Sequence, residues 1–166
     1  IIKTQSNKFF DRIYKVREYI NMRLDSNMSL INLKRINKGK DKANISASVN
    51  MKDKIVNFGK KNLKYDSNWI YYPYSLIYAL RSKSLRIGEK YLFSIFDDKE
   101  ITNVNLHITS TETITVPYGK YDCFVAEPHS ENSENLFKNK GQMKIWYSDD
   151  KYSIPIRIEI NSNIGT

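Results

Sequence analysis

The sequence has few of the residues that carry metal, redox or nucleophilic chemistry. Its 166 residues include one cysteine, two histidines, six glycines and four prolines. The lone Cys123 excludes an internal disulfide. His107 lies on the polar face of a predicted strand, and His129 and Cys123 lack the spacing of metal ligands. No apolar run approaches the roughly 20 residues that span a bilayer, and no phosphate-binding loop or nucleophile elbow is present. The sequence therefore predicts a non-enzymatic protein without metal or cofactor.

What the chain does contain favours a folded, basic protein. Hydrophobic residues make up 40% and aromatic residues 13%, and the length suits a single domain over residues 1–166. The net charge is uneven, because residues 1–64 hold 16 Lys and Arg against 5 Asp and Glu, whereas residues 65–166 hold 11 against 13. The lysines are dispersed along the sequence, and no motif for recognising nucleic-acid bases accompanies them. This pattern is typical of a solvated, lysine-rich sheet face. No specific nucleic-acid partner is therefore expected.

The clearest pattern in the chain is a long alternation over residues 104–116. Apolar residues occupy the even positions of this stretch, apart from Ser110 and Glu112, and polar residues occupy most odd positions. Such alternation predicts a strand of an antiparallel sheet with one buried face. It also places the carboxylate of Glu112 on the buried face, where a charge requires a partner.

Other segments complete a mostly β fold around one helix. A second alternation over residues 43–51 predicts a strand, and hairpins follow from Tyr91 to the end, with a polar loop over 131–139. Residues 74–83 predict the one helix, preceded by capping residues 66–68 and apolar on nearly all sides, so that Arg81 is carried inward. We expect Arg81 to form a salt bridge with Glu112 or, second, with Glu18, which shares the apolar side of a predicted strand with Ile20, Met22 and Leu24. The predicted fold is α+β, a long curved antiparallel sheet resembling an open half-barrel that encloses one apolar helix.

A family resemblance rests on several motifs that occur in order. These are Tyr78-Ala79-Leu80-Arg81, Gly88, the run 112–117 with Gly119, Tyr121-Asp122-Cys123, the run 140–150, the run 154–158 and Ile164-Gly165. Over about residues 8–166 the chain resembles the bacterial family called domain of unknown function 3108. The resemblance implies an exported, periplasmic or cell-envelope protein with a layout similar to the half-barrels of lipoprotein carriers. Family members carry further strands at both ends, so the chain is expected to be trimmed or incomplete there.

These observations favour a protein that binds an apolar or amphipathic ligand, such as a lipid or a lipidated chain, between sheet and helix. The predicted ligand-binding residues come from the helix and from the long strand: Tyr74, Ile77, Tyr78, Arg81, Leu106, Ile108, Glu112 and Ile114. Two alternatives stay open. One is a structural or interaction scaffold whose helix completes a filled core, and the other is a binder of nucleic acid or anionic surfaces through the basic N-terminal third.

Overall fold

A computed structural model describes residues 1–8, 15–39, 42–98, 100–130 and 142–161. The strands within these ranges are β1 (Ile2–Gln5), β2 (Arg17–Leu24), β3 (Leu30–Asn37), β4 (Ala43–Asn50), β5 (Ile55–Phe58), β6 (Lys61–Lys64), β7 (Ile70–Tyr71), β8 (Lys90–Phe96), β9 (Ile101–Val116), β10 (Gly119–Ser130), β11 (Gln142–Ser148) and β12 (Pro155–Asn161). The helix α1 is Pro73–Ala79, continued by a 3-10 turn over Leu80–Ser82. The polar loop predicted over 131–139 and the final Ile164-Gly165 lie outside the described residues.

The strands form two sheets of six. Sheet A has the order β1 to β6, and sheet B has the order β12 to β7. Neighbouring strands are antiparallel in both sheets except for β7 and β8, which pair in parallel. Sheet B curls into an open half-barrel. The predicted α+β fold with a curved antiparallel sheet and one helix is thus confirmed for the described part of the chain, with the strands divided between two sheets.

Sheet A buries one face and leaves the other to solvent. Every second residue of β4 is exposed, as the alternation over residues 43–51 predicts. The inward face packs on the start of sheet B in a buried cluster that includes Ile20, Leu33, Phe96 and Tyr72. The hydroxyl of Ser29 further joins the sheets, since it donates to the carbonyl oxygen of Ile70 at 2.9 Å.

The helix packs on one face of sheet B, which we call the helix face. Ile77 and Leu80 share a buried cluster with strand residues such as Leu106, Ile108 and Tyr147. The Tyr147 hydroxyl donates to the carbonyl oxygen of Ile77 at 2.9 Å, so the buried phenol has its hydrogen-bond partner. Burial raises the pKa of this phenol above its usual range.

A β-bulge interrupts the long alternation of β9. Ile108 pairs with Ala126 whereas Ser110 pairs with Val125, so that Thr109 is the extra residue. Because side chains alternate along a strand, one extra residue moves every later side chain to the opposite face. Ile114 accordingly packs on Cys123, Val125 and Trp146 in a separate cluster, away from Leu106 and Ile108. The strand prediction is confirmed, but the prediction that one face holds both Leu106 and Ile114 is wrong.

The helix is shorter and less enclosed than its composition indicates. Its N-cap is Tyr72, whose backbone N–H donates to the Ser75 hydroxyl at 3.0 Å, and the residues 66–68 predicted to cap it lie outside. Tyr78 is 49% exposed, so one side of the helix faces water. Among the described residues no helix has the length and hydropathy needed to cross a bilayer.

Candidate functional site

The predicted salt bridge of Arg81 with Glu112 or Glu18 is wrong. Arg81 is exposed, and its Nε donates to the carbonyl oxygen of Tyr152 at 3.1 Å. Arg81 belongs to the 3-10 turn, whose tighter winding moves a side chain off the face of the preceding helix. Glu112 lies beyond the bulge on the other face of sheet B, where it accepts a hydrogen bond from Trp146 Nε1 at 2.8 Å.

The eight predicted ligand-binding residues lie in different surroundings. Ile77, Leu106 and Ile108 meet in the packed core of the helix face. Tyr74 packs against the cluster between the sheets, and Ile114 belongs to the cluster beyond the bulge. Tyr78, Arg81 and Glu112 are exposed. The structure therefore brings together three of the eight, and their role toward a ligand stays a prediction.

A buried ionic cluster does exist, at the junction of the two sheets. Arg35 of β3 donates from Nε to Glu18 Oε1 of β2 at 2.7 Å. The same guanidinium donates to Asp98 Oδ2, in the turn after β8, so Arg35 ties sheet A to sheet B. The side chains of Glu18 and Asp98 are only 11% and 7% exposed. Glu18 is therefore inward as the sequence predicted, with Arg35 as its partner.

Two tyrosines complete this junction. The Tyr72 hydroxyl donates to Asp98 Oδ2 at 3.1 Å, and Tyr74 hydrogen-bonds to Glu18. Burial and the neighbouring carboxylates raise the pKa of both phenols, so both stay neutral donors. Asp98 Oδ1 is buried and accepts no hydrogen bond from the described residues. A proton on that oxygen would leave the contacts of Oδ2 intact.

The buried carboxyl group of Asp98 should make the stability of the protein depend on pH. Burial raises the pKa of Asp98 above 3.8, although the hydrogen bonds and charge of Arg35 oppose the shift. The folded state then binds this proton more tightly than the unfolded chain, so the contribution of Asp98 to stability should grow as the pH falls through the raised pKa. Urea unfolding can compare the free energy of unfolding of the wild type with that of Asp98→Asn at neutral pH and at about pH 4. The wild type should gain stability relative to the variant at the lower pH. A difference that moves the other way would mean that Arg35 dominates and lowers this pKa.

The described surface holds a small aromatic cavity at the outer edge of sheet B. It has a volume of about 200 Å³ and is lined by Ser67, Trp69, Tyr71, Lys83, Lys90, Tyr91, Leu92, Phe93 and Ser94. Tyr71 and Phe93 form its floor, with their rings edge to face at 5.2 Å. Trp69 and Leu92 are 40% and 59% exposed at its rim. Apolar side chains this exposed, around a concave site, mark a place where a ligand or partner can bind.

The edge cavity also has uncovered backbone groups and positive charge. The short strand β7 covers β8 only at Ser94 and Ile95, so no described strand pairs with residues 90–93 on that side. Backbone N–H and C=O groups along an uncovered edge are available to a partner. Lys83 and Lys90 line the same cavity, and none of the described lining residues is acidic. The site therefore combines an apolar floor, backbone hydrogen-bonding groups and two cations.

Sequence reasoning did not identify these cavity residues. The sequence indicates core or rim positions for the tyrosines of 71–78, and Tyr71 is indeed buried. The one available signal was Leu92, an apolar residue that alternates with Tyr91 and Phe93 and so lies on the opposite face of its strand from them. The sequence contains no signal that β7 is only two residues long or that it leaves the edge of β8 open.

Other candidate groups have structural explanations. Asp150 accepts backbone N–H groups from Tyr152 at 2.7 Å and Ser153 at 3.1 Å, so this aspartate serves a turn. These hydrogen bonds lower its pKa. The Cys123 thiol is buried, and burial raises its pKa, so it is a poor nucleophile. Within the described ranges, no three His, Cys, Asp or Glu side chains are grouped to hold a metal ion.

The chain matches a known protein family along most of its length. The family model described as protein of unknown function (DUF3108) matches residues 3–166, which is nearly the whole chain. No curated protein and no solved structure matches the chain.

Proposed function

The chain belongs to the DUF3108 family, and from that premise we propose that it is a non-enzymatic binding protein of the cell envelope whose ligand is an anionic amphipathic molecule. The ligand is a lipid or the lipidated end of a chain, held in the edge cavity of sheet B. The observation that carries the proposal is the cavity's aromatic floor beside Lys83 and Lys90. The exported location rests on the sequence resemblance, and fractionation of the host cell tests it.

The size of the edge cavity defines what part of a ligand it accepts. Sites for drug-sized ligands have volumes of about 300–1,000 Å³, whereas this cavity has about 200 Å³. It accommodates a headgroup with the first carbons of one chain, and the remainder would extend past Trp69 and Leu92 at the rim. The lysines suit a phosphate or carboxylate, since each can donate a charge-assisted hydrogen bond.

We expect decyl phosphate, below the concentration at which it forms micelles, to bind the wild-type protein in isothermal titration calorimetry. The double variant Lys83→Gln with Lys90→Gln should bind it about 100-fold more weakly, since each exposed charge-assisted contact contributes about 1.5 kcal/mol. Decyl maltoside, which has the same chain without the charge, should bind both proteins equally weakly.

The matched control is Lys120→Gln with Lys151→Gln, which removes the same charge from exposed positions outside the cavity. Its affinity for decyl phosphate should stay within about threefold of the wild type, since exposed charges are screened over a Debye length. Equal losses in the two double variants would show that net charge alone attracts the ligand, and would refute the edge cavity as its site.

The scaffold hypothesis retains support from one observation. Eight residues of the helix and of strands β8 and β9 beneath it are at most 8% exposed and form one cluster: Leu76, Ile77, Leu80, Phe93, Ile95, Val104, Leu106 and Ile108. Side chains packed this closely make a solid core of the space between helix and sheet. If the edge cavity binds no amphipathic ligand, a scaffold is the function that this packed core supports.

A further inference from the structure

The outward face of sheet A is polar and carries cations without acids. Register places outward side chains at alternate positions of β1–β6, because residues paired across neighbouring strands share a face. We call this surface the basic face. Its charged residues are Lys3, Arg17, Arg23, Lys34 and Lys64. Glu18 is the one acidic residue in these six strands, and it points inward to Arg35.

Between the cations lie uncharged polar side chains. Lys34 pairs with Asn21 on one side and Ser46 on the other, and Arg23 pairs with Asn32. Arg17 donates to the carbonyl oxygens of Ser6 and Val16. Lys3, Arg23, Lys34 and Lys64 form no salt bridge with any described acidic residue. At Lys3, Arg23, Lys34 and Lys64 the face therefore has a positive potential that no salt bridge to a described acidic residue neutralises.

The shape and side chains of the basic face distinguish between polyanions. Six strands at about 4.8 Å spacing make a surface about 24 Å wide, which is too broad for a DNA major groove of about 12 Å. Binding of single-stranded nucleic acid by a sheet depends on exposed aromatic rings that stack on bases. The basic face has one aromatic residue in its strands, Tyr19, and Lys3 already lies over that ring at 5.9 Å. An extended plane of anionic headgroups requires neither a groove nor stacking.

We propose that the basic face of sheet A binds the surface of a bilayer that contains anionic phospholipids. Each Lys or Arg held near such a surface contributes about a fivefold increase in partitioning. The cations act together because one sheet holds them on a single side. This surface is separate from the edge cavity, so the two proposals can fail independently.

The test is sedimentation with vesicles of phosphatidylcholine that contain about 30% phosphatidylglycerol, at about 0.1 M salt. The wild type should bind these vesicles, and pure phosphatidylcholine vesicles should not retain it. The triple variant Arg23→Gln, Lys34→Gln, Lys64→Gln should partition about 100-fold less. The control triple Arg86→Gln, Lys120→Gln, Lys151→Gln, which removes equal charge from exposed positions outside sheet A, should lose less than about threefold.

Thermal unfolding should first confirm that both triple variants are folded, because exposed surface substitutions usually change stability by no more than about 0.5 kcal/mol. Lys83→Gln with Lys90→Gln should keep vesicle binding, which separates this proposal from the edge cavity. Equal losses in the two triples, or no wild-type binding to anionic vesicles, would overturn it. So would binding to duplex or single-stranded DNA that is tighter at the same salt and depends on the same three residues.

Discussion

Arg35→Met is expected to lower the free energy of unfolding by about 3 kcal/mol, measured by urea denaturation at neutral pH. Removing one member of a buried ion pair costs about 3–5 kcal/mol, because the partner is left as an uncompensated charge. Here the guanidinium serves Glu18 and Asp98 together. We place the effect at the lower end because the Arg35 side chain is 26% exposed and retains contact with water.

The matched control for this substitution is Arg23→Met. Arg23 lies in the neighbouring strand β2 and points to the solvent side of the same sheet, so its replacement should change stability by no more than about 0.5 kcal/mol. The triple variant Glu18→Gln, Arg35→Met, Asp98→Asn should recover most of the loss, since uncharged groups leave no buried charge unpaired. A triple variant as unstable as Arg35→Met would show that packing of the long arginine chain, rather than charge, is what stabilises the junction.

The ionic junction also shows what can be predicted from alternation and what cannot. Glu18 was predicted to lie on a buried face because Ile20, Met22 and Leu24 follow it at two-residue spacing, and the structure confirms this. Its partner Arg35 follows Leu33 at the same spacing, so it could have been inferred as inward too. Asp98 could not, since it lies in a turn with φ 78°, where an aspartate ordinarily serves the local backbone.

The long strand illustrates a different limit. The sequence over residues 104–116 alternates apart from Ser110 and Glu112, and it correctly predicts most of β9. The bulge at Thr109 arises from pairing with β10, and a two-residue periodicity in one strand contains no information on its partner's register. The sequence prediction puts four ligand-binding residues of this strand on one face, whereas the bulge separates Ile114 and Glu112 from Leu106 and Ile108.

Leu106→Ala is expected to destabilise the protein by about 2–5 kcal/mol, because truncating a fully buried leucine loses its transfer free energy and leaves a cavity. Leu106 is 0% exposed and shares the cluster of the helix face with Ile77. The matched control is Leu92→Ala on the adjacent strand β8, whose side chain is 59% exposed and whose loss should cost no more than about 0.5 kcal/mol.

This substitution also distinguishes a filled core from the ligand cleft first expected between helix and sheet. A void left by Leu106→Ala in a packed, apolar core should stay dry and bind a small apolar molecule such as benzene. Benzene should therefore raise the unfolding temperature of the variant and leave that of the wild type unchanged, because ligand that binds only the folded state stabilises it. Stabilisation of the wild type by benzene, together with little loss of stability in Leu106→Ala, would instead show that an open cleft already separates the helix from the sheet.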